Sequence, residues 1–184
     1  MVLVIVAHPD LRASTLNKTL LNSLGGAEGV EVIDLYQRYG GATFLGLPED
    51  LLAPDRVKLA QASAIVLQFP FYWYSMPSLM KQWLDDILLS GWAHHGGIEG
   101  KDYALAGKSL MVALTTGGAG RSYGPSGYNM HFMSDFMPSF VQMARTCKMH
   151  FAEPFYVHAD KFDSVETTAS YLRRISELNT PLAL

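Results

Sequence analysis

Apolar residues in this chain fall into short continuous runs separated by stretches with helical spacing. Val2-Leu-Val-Ile-Val-Ala7 is a largely β-branched run without a polar position, as expected of a central parallel strand covered on both faces. Ala64-Ile-Val-Leu-Gln-Phe69 and Ser109-Leu-Met-Val-Ala-Leu-Thr-Thr116 read as two more. Val30-Glu-Val-Ile-Asp-Leu35 alternates in part and suits a position nearer the sheet edge. Met149 to Val157 gives a fifth strand, with Pro154 in a place tolerable on an edge.

Helical spacing fills most of the intervals. Ser14 is a good N-cap for a helix from about Thr15 to Leu24, which Gly25-Gly26 stops. Pro48-Glu49-Asp50 opens a second, interrupted early by Pro54 and running to about Ala62. Ser78 to Leu89 is a third, and His131 to Ala144 a fourth that Pro138 distorts or restarts. Ser164 caps a last helix through Leu178, with Glu166 in its first turn and Arg173-Arg174 near its end. Tyr36 to Leu47, Ser90 to Gly97, Gly100 to Lys108 and Arg121 to Met130 read as loops. Strand and helix alternating in this way predict an α/β, doubly wound parallel sheet in the order 2-1-3-4-5, with helices on both faces. No repeat or linker divides residues 1–184, so one domain is expected.

Composition narrows the function classes. A net charge of −3 leaves no basic footprint for nucleic acid. Cys147 is the sole cysteine, so no disulfide forms within the chain, which is compatible with a reducing cytosol. No apolar run approaches the roughly 20 residues that span a bilayer. The apolar start reaches His8-Pro9 at once and lacks a basic leader, so it reads as a strand rather than a signal peptide.

Candidate chemistry gathers at three strand ends. The loop Phe69-Pro70-Phe71-Tyr72-Trp73-Tyr74-Ser75-Met76-Pro77 follows the third strand and carries a block of rings from Phe71 to Tyr74. Ligands of open α/β sheets sit at the carboxyl ends of the strands, so these rings lie where a flat ligand would bind. Proline-flanked aromatics also pack loops onto cores, although so many adjacent rings exceed that need. After the first strand, His8 to Asn17 lacks both the P-loop and the G-x-G-x-x-G patterns. It still leads into a helix N-terminus, with Ser14 and Asn17 as donors and His8 or Arg12 as positive charge. Two readings stand for this loop: an anion site, or simple capping by Ser14. After the fourth strand, Thr115-Thr116-Gly117-Gly118 offers either backbone N–H groups to a closely approaching ligand or a tight turn needing positive φ.

Other combinations carry less. His94, His95, His131, His150 and His158 have no metal-ligand spacing, and H-E-x-x-H and C-x-x-C are absent. Asp85 and Asp86 are helix neighbours that point apart. Ser122 and Ser126 lack a G-x-S-x-G context, which weakens a hydrolase reading.

Three segments together resemble the NAD(P)H:quinone oxidoreductase family, which has a flavodoxin-like fold. They are His8-Pro with Ser14-x-x-Asn17, then Pro70-x-x-Trp73-Tyr74-Ser75-x-Pro77 with Leu79-x-Lys81-x-Trp83-x-Asp85, then Thr115-Thr116-Gly117-Gly118. The likeness covers residues 1 to about 175 and is nearest the ancillary flavoproteins of glutathione-gated potassium efflux systems, which Gly91-Trp92-Ala93 and Asp34-Leu35-Tyr36 also fit.

The resemblance implies a homodimeric flavoprotein with FMN or FAD, FMN preferred, at the dimer interface. It implies two-electron reduction of quinones by NAD(P)H, in the cytoplasm or peripheral to the inner face of the cell membrane. His8, Ser14, Thr15 and Asn17 would take the flavin phosphate side. Pro70 and Phe71 to Tyr74 would line the ring, with Trp73 and Tyr74 closest. Thr115, Thr116, Gly117 and Gly118 would hold its polar edge, and Tyr123 would sit near the flavin carbonyl end. Two positions depart from the family: Tyr72 stands where glutamine is common, and Asn129 where mammalian members have a histidine. An acid role therefore does not carry over to Asn129, which could still donate a hydrogen bond. The catalytic candidates are Tyr123, Asn129 and the Gly117 backbone. Two further roles fit the resemblance: a regulatory subunit docked on a potassium efflux transporter, and a flavodoxin-type electron carrier. Against the carrier stand the mild charge and the missing T-x-T-G phosphate loop.

Overall fold

Every side chain of β1 (Val2–Val6) is fully buried, because β1 lies inside the sheet with helices on both faces. A computed structural model describes residues 1–41, 43, 45–94 and 103–179. In it β1 pairs in parallel with β2 (Val30–Asp34) on one side and β3 (Ala64–Pro70) on the other. β3 pairs with β4 (Ser109–Thr116), and the sheet order is β2-β1-β3-β4-β5, as the apolar runs predict. β2 ends the sheet on one side and is partly exposed, in keeping with its partial alternation.

The expected fifth strand is divided. β5 (His150–Phe151) and β6 (Phe155–His158) both pair with β4 in parallel. Leu110 pairs with Phe151 and Ala113 with Phe155, so Ala152, Glu153 and Pro154 stand opposite Met111 and Val112. That is a bulge of one residue. Pro154 has no N–H to give the ladder, so the strand breaks there.

Helices flank both faces. α1 (Leu16–Ser23) and α6 (Ser164–Asn179) cover one, where Leu20, Tyr171 and Ile175 pack on Val2, Val4, Val66 and Met111. On the other lie α2 (Leu35–Tyr39), α3 (Glu49–Gln61), α4 (Ser78–Ile87) and α5 (Pro138–Thr146), with Trp83 and Phe140 against Ile65, Leu67 and Phe69.

Three local expectations need correction. Residues 35–39 form a helix rather than loop: Asp34 Oδ1 accepts the Gln37 N–H at 3.1 Å, and Gly40 ends it in the left-handed region at φ 73°. Pro54 does not interrupt α3. One N–H is lost there, while the adjacent Asp55, fully buried, ties α3 to its neighbours. It accepts from the Tyr39 hydroxyl at 2.6 Å and Trp83 Nε1 at 3.3 Å and pairs with Arg38 at 3.0 Å. The cap of α6 is Asp163, whose carboxylate accepts the Val165 and Glu166 N–H groups at 2.9 Å each, not Ser164. In residues 131–144 a 3₁₀ turn (Met133–Phe136) comes first and Pro138 restarts the helix as the first residue of α5, one of the two outcomes expected of it. His95 and part of the loop expected over 90–108 lie outside the described residues.

Candidate functional site

The carboxyl ends of β1, β3 and β4 are neighbours in the sheet, and the three candidate loops leave from them. The chain leaves β1 for β2 on one side and returns to β3 on the other, so the group sits at a topological switch point.

At the end of β1, the Asp10 N–H donates to His8 Nδ1 at 3.1 Å and the Ala13 N–H to Asp10 Oδ1 at 3.2 Å. Burial lowers the His8 pKa, opposed by Asp10 and Asp34. Ser14 Oγ accepts the Asn17 N–H at 3.2 Å, the capping bond one of the two readings of this loop calls for. Thr15 is exposed. Asn17 turns inward: it is 1% exposed and its Nδ2 donates to Thr115 Oγ1 at 2.7 Å. The carboxamide thus ties α1 to the end of β4 instead of lining open space. Beside this loop lies a cleft of about 510 Å³ bordered by His8, Arg12, Lys18, Asp34, Tyr36 and Gln37.

The loop after β3 is held to β4 by the Phe71 N–H, which donates to the Thr115 carbonyl at 2.8 Å. Pro70 is buried and pairs with Thr115 in register. Tyr72 and Ser75 then exchange backbone hydrogen bonds of 2.9 and 3.0 Å around Trp73 (φ 47°) and Tyr74 (φ 64°). Two consecutive residues at positive φ make this a type I′-like turn, for which glycine or asparagine is the usual choice. It thrusts Trp73 into solvent at 94% exposure, with Tyr72 and Tyr74 at 44% and 46%. Phe71 lies inside, against Phe136 at 5.4 Å and Tyr123 at 6.3 Å between ring centroids. Tyr74 stacks on Phe136 at 5.4 Å.

After β4, neither Gly117 nor Gly118 has positive φ, so the tight-turn reading does not account for them. A Cβ at Gly117 would meet nothing within 4 Å. Both are exposed, and a Cβ at Gly118 would meet only the Tyr123 hydroxyl, at 4.0 Å. Thr116 donates its single hydroxyl proton to the Gly118 carbonyl at 2.8 Å. Its 2.9 Å contact with His158 Nδ1 is therefore donated by the ring, which fixes the Nδ1–H tautomer of the neutral imidazole. Burial lowers the His158 pKa, and His158 lies 5.5 Å from the Tyr123 ring. Burial raises the Tyr123 pKa, as does the proximity of Tyr74, while hydrogen bonds with Thr116 and Asn129 oppose the rise.

The structure brings His8, Ser14, the aromatic turn, Thr115 to Gly118, Tyr123 and Asn129 to one end of the sheet. Phe136 and His158 belong to the same group and carry no motif in the sequence. Their only signal is an aromatic ring shortly before Pro138 and a histidine at the end of an edge strand.

A family model described as "Flavodoxin-like fold" matches residues 1–178. The chain belongs to that family. Within it, the glutathione-regulated potassium-efflux system ancillary protein KefF of Klebsiella aerogenes is 37% identical over 182 residues, covering 95% of this chain and 92% of the relative. A solved NADPH-quinone reductase from P. pentosaceus is 26% identical, with a TM-score of 0.79 over 100% of this chain and 99% of the other. The general stress protein 14 of Treponema denticola, solved in complex with FMN, is 27% identical, with a TM-score of 0.79 over 96% of this chain and 97% of the other. Each of these matches covers nearly the whole length of this chain.

Proposed function

We propose that the chain is a flavin-dependent NAD(P)H:quinone oxidoreductase, with FMN preferred over FAD. The observation that carries this reading is the join between the aromatic turn and the Gly117-Gly118 turn, made by the Phe71–Thr115 hydrogen bond. It sets the exposed rings of Tyr72, Trp73 and Tyr74 beside two exposed glycines, the first with open space where a Cβ would stand. That combination fits a planar ring with one polar edge. The FMN named with the T. denticola relative and the quinone reductase named from P. pentosaceus support the same assignment.

Bound flavin supplies the hydride chemistry, and the protein supplies position and electrostatics. Tyr72, Trp73 and Tyr74 would border the ring. The Gly117 and Gly118 N–H groups would donate to its polar edge and stabilise negative charge there, as an oxyanion hole does. Tyr123, a neutral phenol, is a further donor. His8, Ser14 and Thr15 border the N-terminal end of α1, where a phosphate is favoured. Asn17 contributes through its neighbours, since its side chain is spent on Thr115 and Gln68.

The protein should act as a homodimer in the cytoplasm. Among the described residues no helix is long and apolar enough to cross a membrane. The 37% identity to KefF supports a second role, as an ancillary subunit on the inner face of a potassium efflux transporter. The test is the visible spectrum of the purified protein, the identity of the flavin released from it, and NAD(P)H oxidation with menadione as acceptor. A yellow protein that releases FMN and reduces menadione is expected. A colourless protein that gains no activity from added FMN or FAD would falsify the proposal.

A further inference from the structure

Four side chains on four elements form a buried hydrogen-bond chain. Tyr171 on α6 donates its hydroxyl proton to Gln68 Oε1 at 2.9 Å. Gln68 Nε2, on β3, donates to the Asn17 main-chain carbonyl at 3.0 Å and lies 3.4 Å from Asn17 Oδ1. Asn17 Nδ2, on α1, donates to Thr115 Oγ1 on β4 at 2.7 Å. None of the four residues is more than 4% exposed.

The direction of this chain is imposed by one atom. A main-chain carbonyl only accepts, so Gln68 must present nitrogen to Asn17. Its oxygen is then left for Tyr171, which must donate. The same nitrogen beside Asn17 Oδ1 orients the second carboxamide, so Asn17 presents nitrogen to Thr115. Thr115 Oγ1 is thereby made an acceptor, and its own proton has to leave in another direction. Among the described residues no hydrogen bond of the chain takes that proton, in contrast to Thr116, whose proton goes to Gly118.

We propose that this one-way chain holds the Thr115 hydroxyl as a donor to an acceptor atom of the flavin ring, and that Tyr171 is a positioning residue for that contact. The inference rests on the flavin reading above and adds a residue outside the site's rim. Polarised chains of this kind strengthen their terminal bond. Tyr171 thus acts on the ligand through Gln68, Asn17 and Thr115 without touching it.

The test is FMN titration of the full chain, with riboflavin as a second probe that lacks the phosphate charge. The variants are Thr115→Val, Thr115→Ser, Tyr171→Phe and Asn17→Asp, and the last two again in the T115V background. Asn17→Asp keeps the shape but replaces the donor with a carboxylate oxygen, so Thr115 must turn its proton inward. T115V should weaken binding about three- to tenfold, the range of one neutral hydrogen bond, while T115S stays near wild type. Tyr171→Phe and Asn17→Asp should each weaken both probes in the wild-type background and lose that effect in the T115V background. Undiminished effects in the T115V background, or a T115V protein that binds like wild type, would overturn the proposal. Should Tyr171→Phe fail to fold, Asn17→Asp carries the same comparison. A wild-type protein that binds neither probe and no FAD overturns the flavin reading itself, and is told apart because no variant then differs.

Discussion

The Tyr74 hydroxyl donates to Asn129 Oδ1 at 3.1 Å and so ties the tip of the aromatic turn to a loop 55 residues further along the chain. The contact is exposed, so its worth to folding is small, but it spans the two segments that border the candidate ring site. Asn129→Ala should leave the melting temperature nearly unchanged and release Tyr74. The expected result is a rise in KM for menadione of about tenfold or less, the scale of one hydrogen bond, with kcat less affected. An unchanged KM would show that Tyr74 needs no tether.

Trp73 sits at φ 47°, where a side chain costs roughly 1–2 kcal/mol that glycine escapes. Almost no contact compensates, because the ring is 94% exposed. Trp73→Gly should therefore be more stable than Trp73→Ala by about 1 kcal/mol in urea denaturation. Both should bind FMN less tightly than wild type. Equal stability of the two variants would place the turn's strain elsewhere.

Gly117 separates folding from binding. A Cβ there meets nothing within 4 Å, so Gly117→Ala should fold with wild-type stability. The methyl group would occupy the space assigned to the flavin edge, and FMN affinity should fall by on the order of tenfold or more, as overpacking in a fitted site does. A variant that binds FMN normally would move the ring away from this turn.

Burial lowers the His158 pKa below 6.5, with Asp160 opposing and Lys161 assisting. Above pH 6.5 the ring is neutral in the folded and unfolded chains, and its contribution to stability is complete. As pH falls through 6.5 the unfolded chain takes up the proton first, so stability declines until the lower, folded pKa is reached. His8, also lowered by burial, adds a dependence of the same sign. Melting temperature should fall as pH drops through about 6.5, and His158→Gln should fall less steeply. Parallel curves would assign the whole effect to His8 and other groups.

The sheet was legible in the sequence because β1, β3 and β4 are buried on both faces, which leaves continuous apolar runs. The five residues of α2 make too few turns to show a period; only the Asp34 cap and Gly40 marked them. The loops of the site were readable from strand ends and ring density. What each side chain does within them was not. Asn17 carries the same letters whether it faces a phosphate or Thr115, and the choice is made by Gln68, 51 residues away. Phe136 and His158 entered the site only through the packing of distant segments on Tyr123.

The extra residue between Phe151 and Phe155 has a consequence at the far end of its strand. Were the same residues paired onward without a bulge, the register of Leu110 with Phe151 would bring Val157 beside Thr116. With it, His158 stands there instead, and the imidazole reaches the threonine hydroxyl. A frame shift of one position at Pro154 thus decides whether this corner of the site is aliphatic or can carry a proton. Removing Glu153 alone would absorb the bulge and leave His158 beside Thr116; on a strand of the present length, the bulge is what keeps the histidine in register.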